Sequence, residues 1–489
     1  MRKDRSQYLF GIALSGTANL LGMGASLGTI MVAARLLSQD DLGSFFLVML
    51  VVQFTAVLGD VGLKNTAIRI LSSFPSTSVE FIQTSRYLLT ITMITSLIAC
   101  LAVTLAMPLL TKVWPYESFQ KHTTFIGPIV LLTTGNQLIM SLLVGGKHFR
   151  TLSILSIGTE LFRAGLSITG LLAGFGVVAL FWGMIVSRLI GIGAIRLWTP
   201  SLFAVTIRHP QSAELLKFGG WLYGCSLVSI IMVRASDAIL TTYMGTAALA
   251  VYSAAMQVPS VLQRVFESIR PALLGYISSQ KTGAENSQIA AVRIVTALLA
   301  VATAFLIALS RPLMTMLYSE KYESGVTIMQ ALNVWAAFTI INYLFSIILI
   351  GNGQSRRAFF LTLPQLAMII ISTGFLVPLY EGFGAAIALI ATAFLGNIIG
   401  ARLVAGDDKS ICHTLIMVFL RAAAPLLLLL LVVLSTRPSF LFLAVLSSLT
   451  IVLLIAFRVV TQKDINMLST AISGLAGRGS AQVSIESKL

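Results

Sequence analysis

Charged residues are scarce in this chain, and their scarcity excludes most soluble folds. Only 10% of the 489 residues are Asp, Glu, Lys or Arg, whereas 57% are hydrophobic and the mean hydropathy is +0.92. A soluble domain of this length needs far more charged surface. The composition therefore indicates a protein whose main solvent is lipid.

Residues for metal binding, disulfide bonding and catalysis are also few. Cys100, Cys225 and Cys412 are far apart, and the four histidines lie in or near loops, so neither set has ligand or disulfide spacing. No phosphate-binding glycine loop or nucleophile motif is present. No loop exceeds about 25 residues, which counts against a membrane glycosyltransferase or an O-antigen ligase with an extramembrane catalytic domain. We therefore expect no cofactor and no enzymatic activity.

The net charge of +15 would suggest nucleic acid in a soluble protein, but here its distribution indicates orientation. Most Lys and Arg residues outside the hydrophobic stretches fall in cytoplasmic segments if the N-terminus is inside. The basic start is followed by a long apolar run without a clear cleavage site, which predicts a retained first helix. We expect a multi-pass protein of the bacterial inner membrane, surrounded by phospholipid, with both termini cytoplasmic and no nucleic-acid partner.

The hydrophobic stretches predict an all-α polytopic membrane protein with about 14 transmembrane helices, each near the ~20 residues that a spanning helix needs. The predicted spans are 8–35, 42–63, 87–110, 123–146, 151–173, 177–197, 218–243, 247–275, 289–309, 325–350, 359–379, 383–403, 412–435 and 439–460.

An internal repeat divides these spans into halves. Matching pairs recur in the same order at an offset of about 206 residues: Leu42 with Leu249, Phe45 with Tyr252, Tyr116 with Tyr322, Arg150 with Arg356 and Gly174 with Gly382. Each half holds six spans, an even number, so the repeats are parallel, with a substrate site between them. The predicted domains are two six-helix lobes at 1–210 and 211–405, an extra helix pair at 406–460 and a cytoplasmic tail at 461–489.

Several ionised residues lie inside the predicted spans, where each costs about 2.5–3.5 kcal/mol on insertion scales. They cluster in the second span and the fifth to eighth: Asp60, Glu160, Arg163, Arg188, Arg234, Asp237, Arg264, Glu267 and Arg270. Arginine outnumbers carboxylate, and guanidinium groups bind phosphate oxygens bidentately. We therefore predict a cationic cavity for an anionic substrate, formed by Arg163, Arg188, Arg234, Arg264 and Arg270.

Local neutralisation is the competing interpretation. Glu160 and Arg163 are three residues apart, as are Arg234 and Asp237, so each pair lies on one helix face. Arg188 has no acid nearby in its own helix. If transport is coupled to H⁺ or Na⁺, the acids within spans are the candidates, with the first ranked highest for its depth: Glu160, Asp237, Asp60 and Glu267.

The segment from Ala34 to Phe45, followed by Gly59-Asp60-Val61-Gly62-Leu63, resembles the opening of bacterial polysaccharide transporters. These belong to the multidrug/oligosaccharidyl-lipid/polysaccharide exporter (MOP) superfamily. The resemblance implies a V-shaped pair of lobes that flips undecaprenyl-pyrophosphate-linked oligosaccharide repeat units for O-antigen, capsule or exopolysaccharide synthesis. It also implies a monomer that works beside a polysaccharide polymerase and chain-length machinery.

Two other transporter classes fit the hydrophobic pattern. The main alternative is an H⁺- or Na⁺-coupled multidrug exporter of the same fold, and a major-facilitator transporter is the second. The second lacks support because the long central loop of that class is missing. A drug exporter needs acids to hold cations, so the excess of arginine favours the flippase.

Overall fold

The computed structural model describes residues 20–436, except 77, 211, 280–284 and 353. Within these ranges the chain forms helices joined by turns, without strands. The α-helices are α1 Leu20–Leu36, α2 Gln39–Asp60, α3 Leu63–Leu71, α4 Val79–Val113, α5 Glu117–His122, α6 Ile126–Gly145, α7 Phe149–Leu172, α8 Val178–Trp198, α9 Ser212–Ser279, α10 Glu285–Tyr318, α11 Gly325–Gly351, α12 Ser355–Ala405 and α13 Lys409–Thr436.

In the described part of the chain, nine helices are long and apolar enough to cross a membrane. Two of them bend into two arms, α9 at Gly245 (φ 87°) and α12 at Glu381 (φ 52°), where the sequence predicts turns between spans. The helical membrane fold is therefore confirmed. The number fourteen stays a prediction, because the span at 439–460 lies outside the described residues, as do the start of the first span and the tail at 461–489.

Helix ends differ from the predicted spans where polar turns extend or interrupt them. α4 begins at Val79, well before the predicted residue 87, because the Ser78 hydroxyl accepts a hydrogen bond from Phe81 N at 3.1 Å and caps the helix. α3 has no counterpart among the predicted spans, because its nine residues are too few to cross a bilayer.

Packing divides the chain into two compact units. The first runs to Ser268 and also contains Pro312–Ile328 and Thr362–Thr392. Apolar side chains of α3, α4 and α6 form a core in this unit, among them Leu63, Leu71, Phe81, Leu88, Leu138 and Leu142. α8 packs closely on α7 at Gly183, where an added Cβ would lie 2.1 Å from Ser167 Oγ. This close packing fixes the helix pair that carries Glu160, Arg163 and Arg188.

The described residues of the second unit fall within Ile269–Arg311, Met329–Leu361 and 393–436. Two buried asparagines join its helices: Asn333 Nδ2 donates to Ser310 Oγ at 3.2 Å, and Asn397 Nδ2 donates to Phe338 O at 3.0 Å. Such bonds hold helices together in lipid. The predicted lobes at 1–210 and 211–405 stay a prediction.

Candidate substrate-binding site

Glu160 and Arg163 form an ion pair on α7. Nε and Nη2 of Arg163 donate to the same carboxylate oxygen, Oε2, at 2.9 and 2.7 Å. The carboxylate side chain is 41% exposed, whereas the guanidinium side chain is 14% exposed. The other side of Glu160 faces α1, because a Cβ added to Gly22 would lie 3.5 Å from Glu160 Cγ. The pairing that the spacing predicts is therefore present.

Arg188 on α8 reaches the same pair from a neighbouring helix. The charges of Glu160 and Arg163 both act on it, the first attractively and the second repulsively. Its Nη1 atom is buried and has no hydrogen-bond partner among the described residues. A buried donor without an acceptor is costly, and more so when it is charged. Arg188 thus has free capacity for an anion.

Arg234 is held by two side chains. Its Nη1 donates to Asp237 Oδ2 at 2.7 Å, one turn later in α9, and its Nε donates to Gln53 Oε1 at 2.9 Å. The Asp237 side chain is only 7% exposed, whereas that of Arg234 is 32% exposed. The pair is neutral as a unit, and it ties α9 to α2.

The second arm of α9 continues the charged surface. Arg264 and Glu267 are both exposed. The charges of Glu267 and Glu160 attract Arg264, and that of Arg234 repels it. Arg264 therefore connects the pair on α7 electrostatically with the pair on the first arm of α9. Arg270 belongs to the same arm, but its side chain lies outside the described part.

Asp60 has a different position from the other acids. It is the last residue of α2, because Val61 and Gly62 have left-handed backbone conformations (φ 45° and 74°). Its Oδ1 accepts a hydrogen bond from Lys64 N at 3.1 Å, in the first turn of α3. A carboxylate at a helix N-terminus satisfies free amides and complements the helix dipole. The contact gives Asp60 a structural task.

The charged residues on α7, α8 and α9 form one cluster, which lies entirely within the first compact unit. Its described members are Arg163, Arg188, Arg234, Arg264, Glu160, Asp237 and Glu267. Two acids are neutralised by local pairing, yet arginine still exceeds carboxylate. Exposed charges in a spanning helix require water or a counter-charge. The arrangement can therefore hold an anion, and the assignment of these residues to substrate stays a prediction.

Two members of the site carry no charge and escape a search for intramembrane charges. Gln53 could serve as a sugar contact by residue type alone, whereas the structure bonds it to Arg234. Gly22 provides the space beside Glu160. In the sequence, each of them is only a polar or a small residue on an apolar helix. Such residues most often serve helix packing.

The described part of the chain also contains free thiols and an apolar cleft. No group of three or more His, Cys, Asp or Glu side chains could hold a metal ion there, and Cys100 and Cys412 are free thiols. An apolar cleft of about 540 Å³ is lined by residues of α7, α8 and the turn between them. Leu166, Phe175 and Trp182 line it, so it suits hydrocarbon more than phosphate.

The helices and their order define a polytopic α-helical membrane fold. The lipid II flippase MurJ in an inward closed conformation matches with a TM-score of 0.70 and 17% identity, over 91% of this chain and 99% of that one. An inward-facing multidrug resistance MATE family transporter of the MOP superfamily matches with a TM-score of 0.60 and 15% identity, over 78% and 94%. At these identities the similarity establishes the fold alone.

The sequence pattern of a family described as "Polysaccharide biosynthesis protein" matches residues 32–327. The chain therefore belongs to this family, as the resemblance in the sequence indicates. The succinoglycan biosynthesis transport protein ExoT of Rhizobium meliloti is 24% identical over 301 residues, which are 60% of this chain and 59% of that protein. The match thus covers less than two thirds of that relative. The relatives are named as transporters and flippases, and none as an enzyme.

Proposed function

We propose that the chain translocates lipid-linked oligosaccharides across the membrane and that its arginine cluster binds the pyrophosphate of the lipid carrier. One observation carries this proposal: within the described part of the chain, the buried Nη1 of Arg188 has no acceptor, although it lies in a cluster with more arginines than carboxylates. Membership of the polysaccharide biosynthesis family supports the substrate class.

The sign of the charge separates this function from drug export. An exporter of cationic drugs needs unpaired acids on its route. Here Asp237 is buried and paired with Arg234, and Glu160 is paired with Arg163. Guanidinium groups keep their charge at any physiological pH and match phosphate oxygens in geometry. The described cluster therefore suits an anion better than a cation.

The finer proposals follow from the family and the charge bias. The carrier is undecaprenyl pyrophosphate, and the glycan is destined for O-antigen, capsule or exopolysaccharide. The protein acts as a monomer in the bacterial inner membrane, with both termini cytoplasmic, and passes its glycan to a polymerase and chain-length machinery. Alternating access is driven by H⁺ or Na⁺ through one of four acids, Glu160, Asp237, Asp60 or Glu267.

Complementation of a flippase-deficient strain tests the cationic route. Arg188→Ala, Arg264→Ala and Arg270→Ala should each abolish glycan export at normal protein abundance, because no other group replaces the phosphate contact. The corresponding lysine variants should retain partial activity, since lysine keeps the charge but loses the bidentate fork. Export is followed by surface polysaccharide, and abundance by immunoblotting of membranes.

Arg196→Ala is the matched control. Arg196 is exposed in the last turn of α8, eight residues beyond Arg188, and its loss should leave export unchanged. If all three alanine variants of the cluster complement as well as this control, the cationic route is wrong. Drug susceptibility should not change in any variant; a rise in the arginine variants would favour the exporter.

A further inference from the structure

The geometry of the ion pair between Glu160 and Arg163 allows an anion to replace the carboxylate as the partner of Arg163. Both contacts from the guanidinium end on one carboxylate oxygen, Oε2. A strong arginine–carboxylate pair uses two parallel bonds to both oxygens. The pair on α7 lacks that second contact, so a phosphate that offers two oxygens can make a better one.

Three arginines interact with the charge of Glu160, and one carboxylate cannot neutralise all three. Its charge acts on Arg188 from α8 and on Arg264 from α9, in addition to its bond with Arg163. The fourth neighbouring helix, α1, contributes Gly22 at this point and so no charge. A pyrophosphate carries more negative charge than a carboxylate and could contact several of these guanidinium groups at once.

The two side chains of this ion pair differ in how much of their surface is exposed. The Glu160 side chain is 41% exposed and the Arg163 side chain 14%. The carboxylate is therefore the more accessible group of the pair. An anion that is to accept from both Nε and Nη2 of Arg163 must therefore replace the carboxylate that now accepts from them.

Resting on the function proposed above, we infer that Glu160 is an internal counter-anion of the substrate site: it pairs with Arg163 while the site is empty and is displaced by pyrophosphate. The empty site thereby keeps less uncompensated positive charge. An H⁺ or Na⁺ ion bound to Glu160 would release Arg163 and so favour substrate binding. In an exchange mechanism, the bound cation must instead disfavour substrate binding. Coupling by exchange then rests with Asp237, Asp60 or Glu267.

The test measures binding of inorganic pyrophosphate to the purified full-length protein in phosphatidylcholine nanodiscs by titration calorimetry. Glu160→Gln should bind pyrophosphate roughly fivefold more tightly than the wild type, the gain expected when one competing ion pair is lost. Arg163→Gln should bind more weakly. In the double variant the gain from Glu160→Gln should vanish, because the carboxylate then has no Arg163 to release.

Glu117→Gln is the matched control, because it removes the same charge and breaks an ion pair with Lys121 of 2.8 Å on an exposed helix turn. Its affinity should equal that of the wild type. If Glu160→Gln binds pyrophosphate as tightly as the wild type or less tightly, Glu160 is not a counter-anion. Pyrophosphate binding by the wild type would still support the proposed function in that case. If neither the wild type nor any variant binds pyrophosphate, both ideas fail together.

Discussion

Gly43 of α2 lies directly against the backbone of Thr246: a Cβ at position 43 would be 1.9 Å from the Thr246 carbonyl oxygen. Beside this contact the Thr246 hydroxyl donates to Asp40 Oδ1 at 2.7 Å. Thr246 follows the bend of α9 at Gly245, where φ is 87°. The bend and the start of α2 therefore fit together at a point that has no room for a side chain.

Gly43→Ala should accordingly destabilise the protein. The added methyl group meets a backbone carbonyl that cannot turn away, and overpacking of this kind costs about 1–3 kcal/mol. Thermal unfolding of the purified protein in detergent measures the effect. Gly158→Ala in α7 is the control, because its Cβ meets nothing within 4 Å and alanine is the better helix former. The prediction fails if both variants unfold at the wild-type temperature.

The internal repeat accounts for further contacts of the same kind. Trp114 Nε1 donates to Thr242 Oγ1 at 2.9 Å. Arg35, which corresponds to Thr242 at the repeat offset, donates to the carbonyl oxygen of Met316. In each half the segment around the end of the third span thus contacts the end of the first span of the other half. A repeat read from sequence predicts such equivalence but not the contacts themselves.

Within the site, the sequence predicts only the contacts between residues that lie within one turn of the same helix. The pairs Glu160–Arg163 and Arg234–Asp237 follow from their spacing of three residues. Contacts between helices do not follow, because the register of two packed helices depends on their whole surfaces. The bond from Arg234 to Gln53 spans 181 residues of sequence.

The sequence also does not predict where a helix ends. Hydropathy continues through Val61 and Leu63, so α2 is predicted to run past Asp60. The left-handed backbone at Val61 and Gly62 ends it there. Asp60 consequently caps α3.

The pair Arg234–Asp237 provides a prediction on stability. Arg234→Ala leaves a carboxylate that is 7% exposed without its cation, and breaking a buried pair on one side costs about 3–5 kcal/mol. Gln53→Ala should cost less, because Arg234 keeps Asp237. The double variant Arg234→Met with Asp237→Leu should recover most of the loss, since no unpaired charge remains. Denaturation in detergent distinguishes these cases, and equal losses for Arg234→Ala and Gln53→Ala would refute the ranking.

The topology can be checked with reporter fusions. Parallel repeats with an even number of spans predict a cytoplasmic reporter after Lys217, between the halves, and after Leu489. A fusion after Ser319, in the loop predicted outside, should report the opposite side. A periplasmic signal after Lys217 is incompatible with parallel repeats.

The segment from Ser201 to His209 lies along the start of α4. Arg86 Nε donates to Ser201 O at 2.5 Å, and Thr206 N donates to Thr90 Oγ1 at 3.1 Å. At its end His209 Nε2 is 3.2 Å from Thr84 Oγ1. Partial burial lowers the pKa of His209 from its usual value of 6.5, because a charged ring would lose hydration there.

This shift makes the docking of the segment dependent on pH. When the segment leaves α4, His209 regains its usual pKa, so the released form binds the proton more readily than the docked form. Docking should therefore be constant above about pH 6.5 and weaken as the pH falls through 6.5 toward the lowered pKa. Hydrogen exchange of the Thr206 amide, corrected for its intrinsic rate, should accelerate at pH 5.5 relative to pH 7.5. His209→Gln should remove that dependence, whereas His413→Gln, a change at an exposed histidine of α13, should preserve it. The same pH dependence in His209→Gln as in the wild type would mean that another group controls docking.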